Sequence, residues 1–202
     1  MNKAIDLGTI RRGFRDPAME AQQLFRRILD AMSRPGCIQD LSPAPEPPTG
    51  LTRAAAGVAL TLLDFETRLW LDPTLRGGDA EAWLRFHCNC PLTTEIGAAA
   101  FALIADGAAM PRLDAFAAGD ARYPDRSTTL IVRVPSLHGG PAKKLAGPGI
   151  RGTVTVDPLG LPADFWTQVA DNGREFQLGV DLMLVDDESI LGLPRTVRVV
   201  DS

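Results

Sequence analysis

Three short runs rich in apolar and β-branched residues constrain this chain most: FALIAD at 101–106, STTLIVRV at 127–134 and VDLMLV at 180–185. Each has strand length, and the first is bracketed by Gly97 and Gly107, which suits a strand buried on both faces. Such strands need cover on both sides. Between them lie amphipathic segments of helical period, so the pattern predicts an α/β protein: a mixed sheet with helices on both faces.

The helices carry their own punctuation. Asp16-Pro17 reads as N-cap followed by Pro at the first helical position, where the missing N–H costs nothing. In the AMEAQQLFRRILDAMS that follows, Leu24, Ile28 and Met32 fall at i, i+4 and i+8, with Ala21, Phe25 and Leu29 widening the apolar face; Pro35-Gly36 ends it. Residues 41–50, LSPAPEPPTG, hold four prolines and form an extended connector inside one domain spanning 1–202. A second helix follows in LTRAAAGVALTLLD, with Leu51, Ala55, Val58 and Leu62 on one stripe, then a strand at 67–71. Asp79 is expected to cap AEAWLRFHC, a small helix is expected near 113–117, and Pro162 opens LPADFWTQVADNG. KKLAG, RGTVTVD and PRTVRVV complete about six strands and at least four helices.

Charge and composition narrow the function classes. A formal charge of −4 gives no reason to expect nucleic-acid binding. No apolar run approaches a membrane span, and the N-terminus lacks a secretory h-region, which points to the cytoplasm. Three cysteines, Cys37, Cys88 and Cys90, do not suggest a disulfide framework. Of 21 basic residues only Lys3, Lys143 and Lys144 are lysines. The arginine excess fits either anion handling or ordinary surface pairing.

Residues 147–152, GPGIRG, match G-x-G-x-x-G, but period-two TVTV follows where a dinucleotide site needs a helix, and Pro148 has no N–H for a phosphate. His87, Cys88 and Cys90 in HCNC invite a thiol or metal reading, yet their spacing misses the usual zinc pairs and no second pair exists. RYPDRS at 122–127 places Arg126, Tyr123 and Asp125 in one turn, as an anion grip or as plain turn chemistry. LPRT brings Arg195 to the start of the last strand, where it could meet Arg34 and Arg126. Lys3 and the adjacent Lys143 and Lys144 are poor Schiff-base candidates for pyridoxal phosphate.

GFRDPAMEAQQLFRRILDAMSRPG, YPDRSTTLIVRV, LAGPGIRG, LPADFW, LGVDLML and LPRTVRV, in that order across residues 13–199, resemble the H subunit of the bacterial carbon–phosphorus lyase system. The resemblance implies a three-layer α/β/α domain similar to the large domain of pyridoxal-phosphate-dependent transferases, with no PLP or other cofactor. It implies a cytoplasmic homodimer that joins the G, I and J subunits. With the G, I and L proteins the family takes part in displacing adenine from ATP by an alkylphosphonate, giving ribose-1-phosphonate 5-triphosphate; a radical step on the J subunit later breaks the carbon–phosphorus bond. Catalysis is usually attributed to the I subunit, so an H-like chain is implied to be accessory. Ser33, Arg34, Tyr123, Asp125, Arg126, Gly147, Gly149 and Arg195 are the matching positions expected at a ligand or an interface, and the GPGI loop is expected to serve subunit or ligand contact. The rival reading is a stand-alone anion-binding or thiol/metal enzyme using residues 87–90.

Overall fold

The computed structural model of the chain describes residues 10–200; Lys3 lies outside them. Helix α1 spans Pro17–Ser33. Asp16 caps it, its carboxylate accepting from Met19 N–H at 3.2 Å, while Glu20 accepts from Asp16 N–H at 3.0 Å. The helix buries Leu24, Ile28 and Ala31. The buried stripe is narrower than the periodicity suggested: Phe25 and Leu29 are 49% and 55% exposed, because the sheet and the second helix reach only one side of α1.

The seven-stranded sheet runs in the order β1 (Gln39–Asp40), β9 (Ser189–Leu193), β8 (Asp181–Val185), β5 (Thr129–Arg133), β4 (Phe101–Ile104), β2 (Leu69–Leu71), β3 (Leu92–Thr93). Pairing is parallel from β8 through β5, β4 and β2 to β3, and antiparallel on either side of β9. Alternation divides the core. Leu71, Leu103, Ile131 and Met183 face one cluster with α1, α2 (Arg53–Leu62) and α3 (Asp79–Cys88), whereas Ala102, Leu130, Val132, Leu182 and Leu184 face the other.

That second face differs from the expected helical layer. It is covered by one α-helix, α4 (Phe165–Arg174), together with a small antiparallel sheet, β10 (Arg198–Val200), β6 (Lys143–Ala146) and β7 (Val154–Val156). Phe165 and Val169 from α4, Leu145 and Val156 from the small sheet, and Val197 just before β10 share its core. Two further expectations are corrected. Asp79 is the first residue of α3, whose N-cap is Gly78 and makes no side-chain bond. The segment near residue 113 is a 3₁₀ turn, Leu113–Ala115.

Strand β9 was not legible in the sequence. SILGL carries a glycine as its fourth residue and is followed by Pro194. Its glycine is a packing device: a Cβ on Gly192 would stand 2.5 Å from the Ala31 carbonyl oxygen, so α1 lies directly on the strand's backbone.

Candidate functional site

Open α/β sheets usually take ligands beyond the carboxyl ends of their parallel strands. Here Asp72, following β2, accepts there from Thr74 N–H at 2.9 Å and Ala105 N–H at 3.2 Å, tying the ends of β2 and β4 together. The MSRPG, YPDRS, GPGI and LPRT segments and the start of β8 gather at the opposite, amino-terminal edge of β5 and β8.

Arg195 is their hub. Its Nε and Nη2 grip the Asp181 carboxylate at 3.3 and 2.5 Å, and its backbone N–H adds a third bond at 2.8 Å. Nη1 donates to the carbonyls of Pro124 at 2.9 Å and Gln177 at 3.4 Å, and Nη2 also to Ser127 Oγ. All five N–H groups of the guanidinium are thus used inside the protein. The pair is largely enclosed, with side chains 14% and 20% exposed. The forked geometry is why an arginine stands here: a lysine ammonium could not serve carboxylate, carbonyls and hydroxyl together. Arg195 therefore holds the turn at residues 123–127 and the start of β8 in register. It is not an open anion grip.

The turn it holds presents different chemistry. Asp120 accepts from the N–H groups of Arg122 and Tyr123, each at 2.8 Å, and residues Pro124–Arg126 form a 3₁₀ turn. The Arg126 guanidinium stacks 3.9 Å from the Tyr123 ring centroid, and both side chains are exposed, as is Asp125. No carboxylate among the described residues pairs with Arg126.

The GPGI loop joins β6 to β7 and no helix follows it, so the phosphate-cradle reading fails on geometry as the sequence argued. It is instead a wedge. Gly149, at φ +81°, lies against the last turn of α1: a Cβ there would collide with the Ser33 carbonyl oxygen and stand 2.9 Å from Pro35 Cδ. A Cβ on Gly147 would stand 2.8 Å from the Thr196 carbonyl oxygen. One loop therefore seats MSRPG on one side and LPRT on the other. Arg34 pairs with Asp30 of its own helix, at 3.2 Å, whereas Arg195 is bonded to Asp181.

Segments that were scattered in sequence are consequently one connected structure. Comparison with known proteins adds the family: the sequence signature described as bacterial phosphonate metabolism protein (PhnH) matches residues 12–200. The chain belongs to the PhnH family. It is 44% identical over 186 residues to the alpha-D-ribose 1-methylphosphonate 5-triphosphate synthase subunit PhnH of Rhizobium meliloti (strain 1021), covering 92% of this chain and 93% of that one. It is also 31% identical over 186 residues to HtxG of Stutzerimonas stutzeri, named there as a C-P lyase subunit protein, over 90% of this chain and 87% of that one. The family resemblance read from the six segments is therefore borne out.

Within this PhnH-family chain, Asp181 and Gln177 were missed as site residues, whereas Ser127 lies in the polar turn read at 122–127. A signal did exist for Asp181, a lone carboxylate opening an otherwise apolar strand. For Gln177, which contributes only its carbonyl, there was none.

The HCNC segment is structural. Cys88 ends α3, its thiol facing the Ala59 carbonyl at 3.7 Å, and Asn89 follows in the left-handed region at φ 52° as the helix cap. Burial, reinforced by neighbouring Cys90, pushes the Cys88 thiol up to about 12, and burial raises Cys90 as well. Both stay protonated at neutral pH and are poor nucleophiles. His87 Nε2 and Trp83 Nε1 both donate to the Arg11 carbonyl at 3.0 Å. No group of three or more His, Cys, Asp or Glu side chains able to hold a metal occurs among the described residues. We expect a thiol reagent at pH 8 to label one cysteine, the exposed Cys37, in the native protein and all three after unfolding. Rapid native labelling of Cys88 or Cys90 would restore the thiol reading.

A cavity of about 480 Å³ opens beside the hub, between α4 and residues 112–118. Gln168 forms part of its floor, accepting from Leu113 N–H at 2.8 Å. Its two guanidiniums are already engaged, Arg112 with Asp114 and Asp164 and Arg174 with Asp171, so no free cation is offered to an anion there.

Proposed function

We propose that this chain is an accessory subunit of the phosphonate-activating system, supporting the step in which an alkylphosphonate oxygen attacks the ribose C1′ of ATP and adenine leaves, giving ribose-1-phosphonate 5-triphosphate. The observation that carries the reading is identity of 44% over nearly the full length of both chains to a subunit named for that synthase. The local chemistry supports an accessory role. The best-placed arginine spends every donor internally, both buried thiols are held protonated, and no enclosed side-chain polar atom among the described residues lacks a partner. The catalytic residues are accordingly assigned to a partner subunit.

In this reading the chain forms a homodimer, assembles in the cytoplasm with the G, I and J subunits, and uses no PLP. Lys143 and Lys144 support the last point, since they stand on β6 in the small sheet and not on the main parallel sheet. Its three layers would be the counterpart of the large domain of PLP-dependent transferases. Ser33, Arg34, Tyr123, Asp125 and Arg126 are assigned to ligand or subunit contact, and among them the stacked Arg126 offers the open cation for a phosphonate, triphosphate or acidic surface.

Co-expression with the host's G, I and J subunits, followed by affinity capture and light scattering, tests the reading. A stoichiometric complex is expected, and leaving this chain out is expected to abolish or strongly reduce product formation from ATP and methylphosphonate. Companions that form product at an undiminished rate without this chain would sink the proposal.

A further inference from the structure

Helix α1 carries a buried apolar stripe and, on its outer side, a second and largely apolar seam that is mostly exposed. Leu24, Ile28 and Ala31 enter the core. On the outer side Ala18, Gln22, Phe25, Leu29 and Met32 follow one another at steps of four, three, four and three residues. That is the spacing by which one helix offers knobs to the holes of another. The first four are exposed in this chain; Met32 is half-buried and packs against the core, and Met19, 54% exposed, stands on the adjoining flank. Three of the large exposed apolar side chains thus stand on a single helix. A seam of period 3.5 fits a helix better than it fits a strand or a flat sheet.

The charges beside the seam indicate which helix. The acids of α1 and its cap are occupied: Asp16 caps the helix, Glu20 accepts from the N–H groups of Arg15 and Asp16, and Asp30 pairs with Arg34. Arg26, one turn from Gln22 and next to Phe25, has no ion-pair partner among the described residues, nor has Arg15 before the helix. Asp16 and Glu20 keep their charge at the first turn, where they answer backbone N–H groups, so the unpaired charge beside the middle of the seam is the positive one of Arg26, although the chain as a whole carries −4. A second copy laid antiparallel about Phe25 would bring Arg26 against the Arg26 of its mate, and like charges at that position repel. We propose that the outer face of α1 docks an amphipathic helix of another subunit, one with apolar residues at 3.5-residue spacing and Asp or Glu along its flank. The inference rests on the subunit reading above and adds the surface and the chemistry of the partner.

The test uses the full chain co-expressed with the G, I and J subunits, comparing the wild type with Phe25→Asp/Leu29→Asp and with Arg26→Glu. Because the replaced side chains already stand in water, both variants should keep the wild-type far-UV spectrum and a nearly unchanged melting temperature. Loss of captured companion on the order of tenfold is expected for the apolar pair. Arg26→Glu should weaken capture several-fold, and more at low salt than at high salt. Full capture by both folded variants would overturn the inference while leaving the subunit reading intact. Dimerisation of the isolated chain that is abolished by Phe25→Asp/Leu29→Asp would also overturn it, by giving the face to a second copy. A wild type that captures none of the companions would remove the subunit reading and this inference with it.

Discussion

Replacing Arg195 with alanine is expected to lower the melting temperature by roughly 6–12 °C, corresponding to about 3 kcal/mol in a chain of this length. The effect does not come from the attraction of the pair as such. A solvated arginine and aspartate lose much of their hydration on entering the protein, and their mutual attraction does little more than repay that loss. The large effect arises because truncation leaves the Asp181 carboxylate enclosed with its guanidinium gone, and strands the Pro124 and Gln177 carbonyls and Ser127 Oγ as well. Arg195→Lys should recover only part of the loss, since one ammonium cannot span four acceptor groups. Arg195→Met combined with Asp181→Leu should be more stable than Arg195→Ala alone, because no charge is then left unpaired. Thermal unfolding by calorimetry reads all three. A melting temperature for Arg195→Ala within a degree or two of wild type would show that the hub does not organise this edge of the sheet.

Gly149→Val should be the other severe change, costing on the order of 3 kcal/mol or more. Two penalties coincide: a β-branched residue is forced to φ +81°, and its Cβ enters the space of the Ser33 carbonyl. Gly152 provides the control. It has a similar φ of +74°, but nothing lies within 4 Å of a Cβ built there, so Gly152→Ala should cost only the backbone preference, roughly 1 kcal/mol. Equal losses at the two positions would show that conformation alone matters and that the loop is no wedge. A Gly149 variant that loses far more, together with amide shifts at Ser33 and Thr196, would establish the contact between α1, the loop and the last strand.

Strands β4, β5 and β8 were legible because their residues are apolar on both faces, a pattern that suits a sheet covered on both sides. Helix α1 was legible from its cap, its proline and its terminating Pro35-Gly36. Strand β9 was hidden because its defining feature, a glycine pressed against α1, looks in sequence like a reason for having no strand. The HCNC residue types suggest reactivity, but their spacing already argued against a metal site, and burial keeps both thiols protonated. Arg195 lay between the two: its presence at a strand entry was visible, but whether its donors face solvent or protein depends on Asp181, Pro124, Gln177 and Ser127, which approach it from distant parts of the chain.

The sequence by itself determined the class of fold, most of the helices and strands, and membership of the PhnH family, because periodicity, caps and ordered short segments are properties of neighbouring residues. Only the tertiary structure decided that a small sheet shares the second face with α4, that GPGI is a wedge against α1, and that the outer seam of that helix stays exposed. Those outcomes depend on which surfaces meet across long separations in the chain, where burial and the satisfaction of polar groups set the result and local pattern has no say.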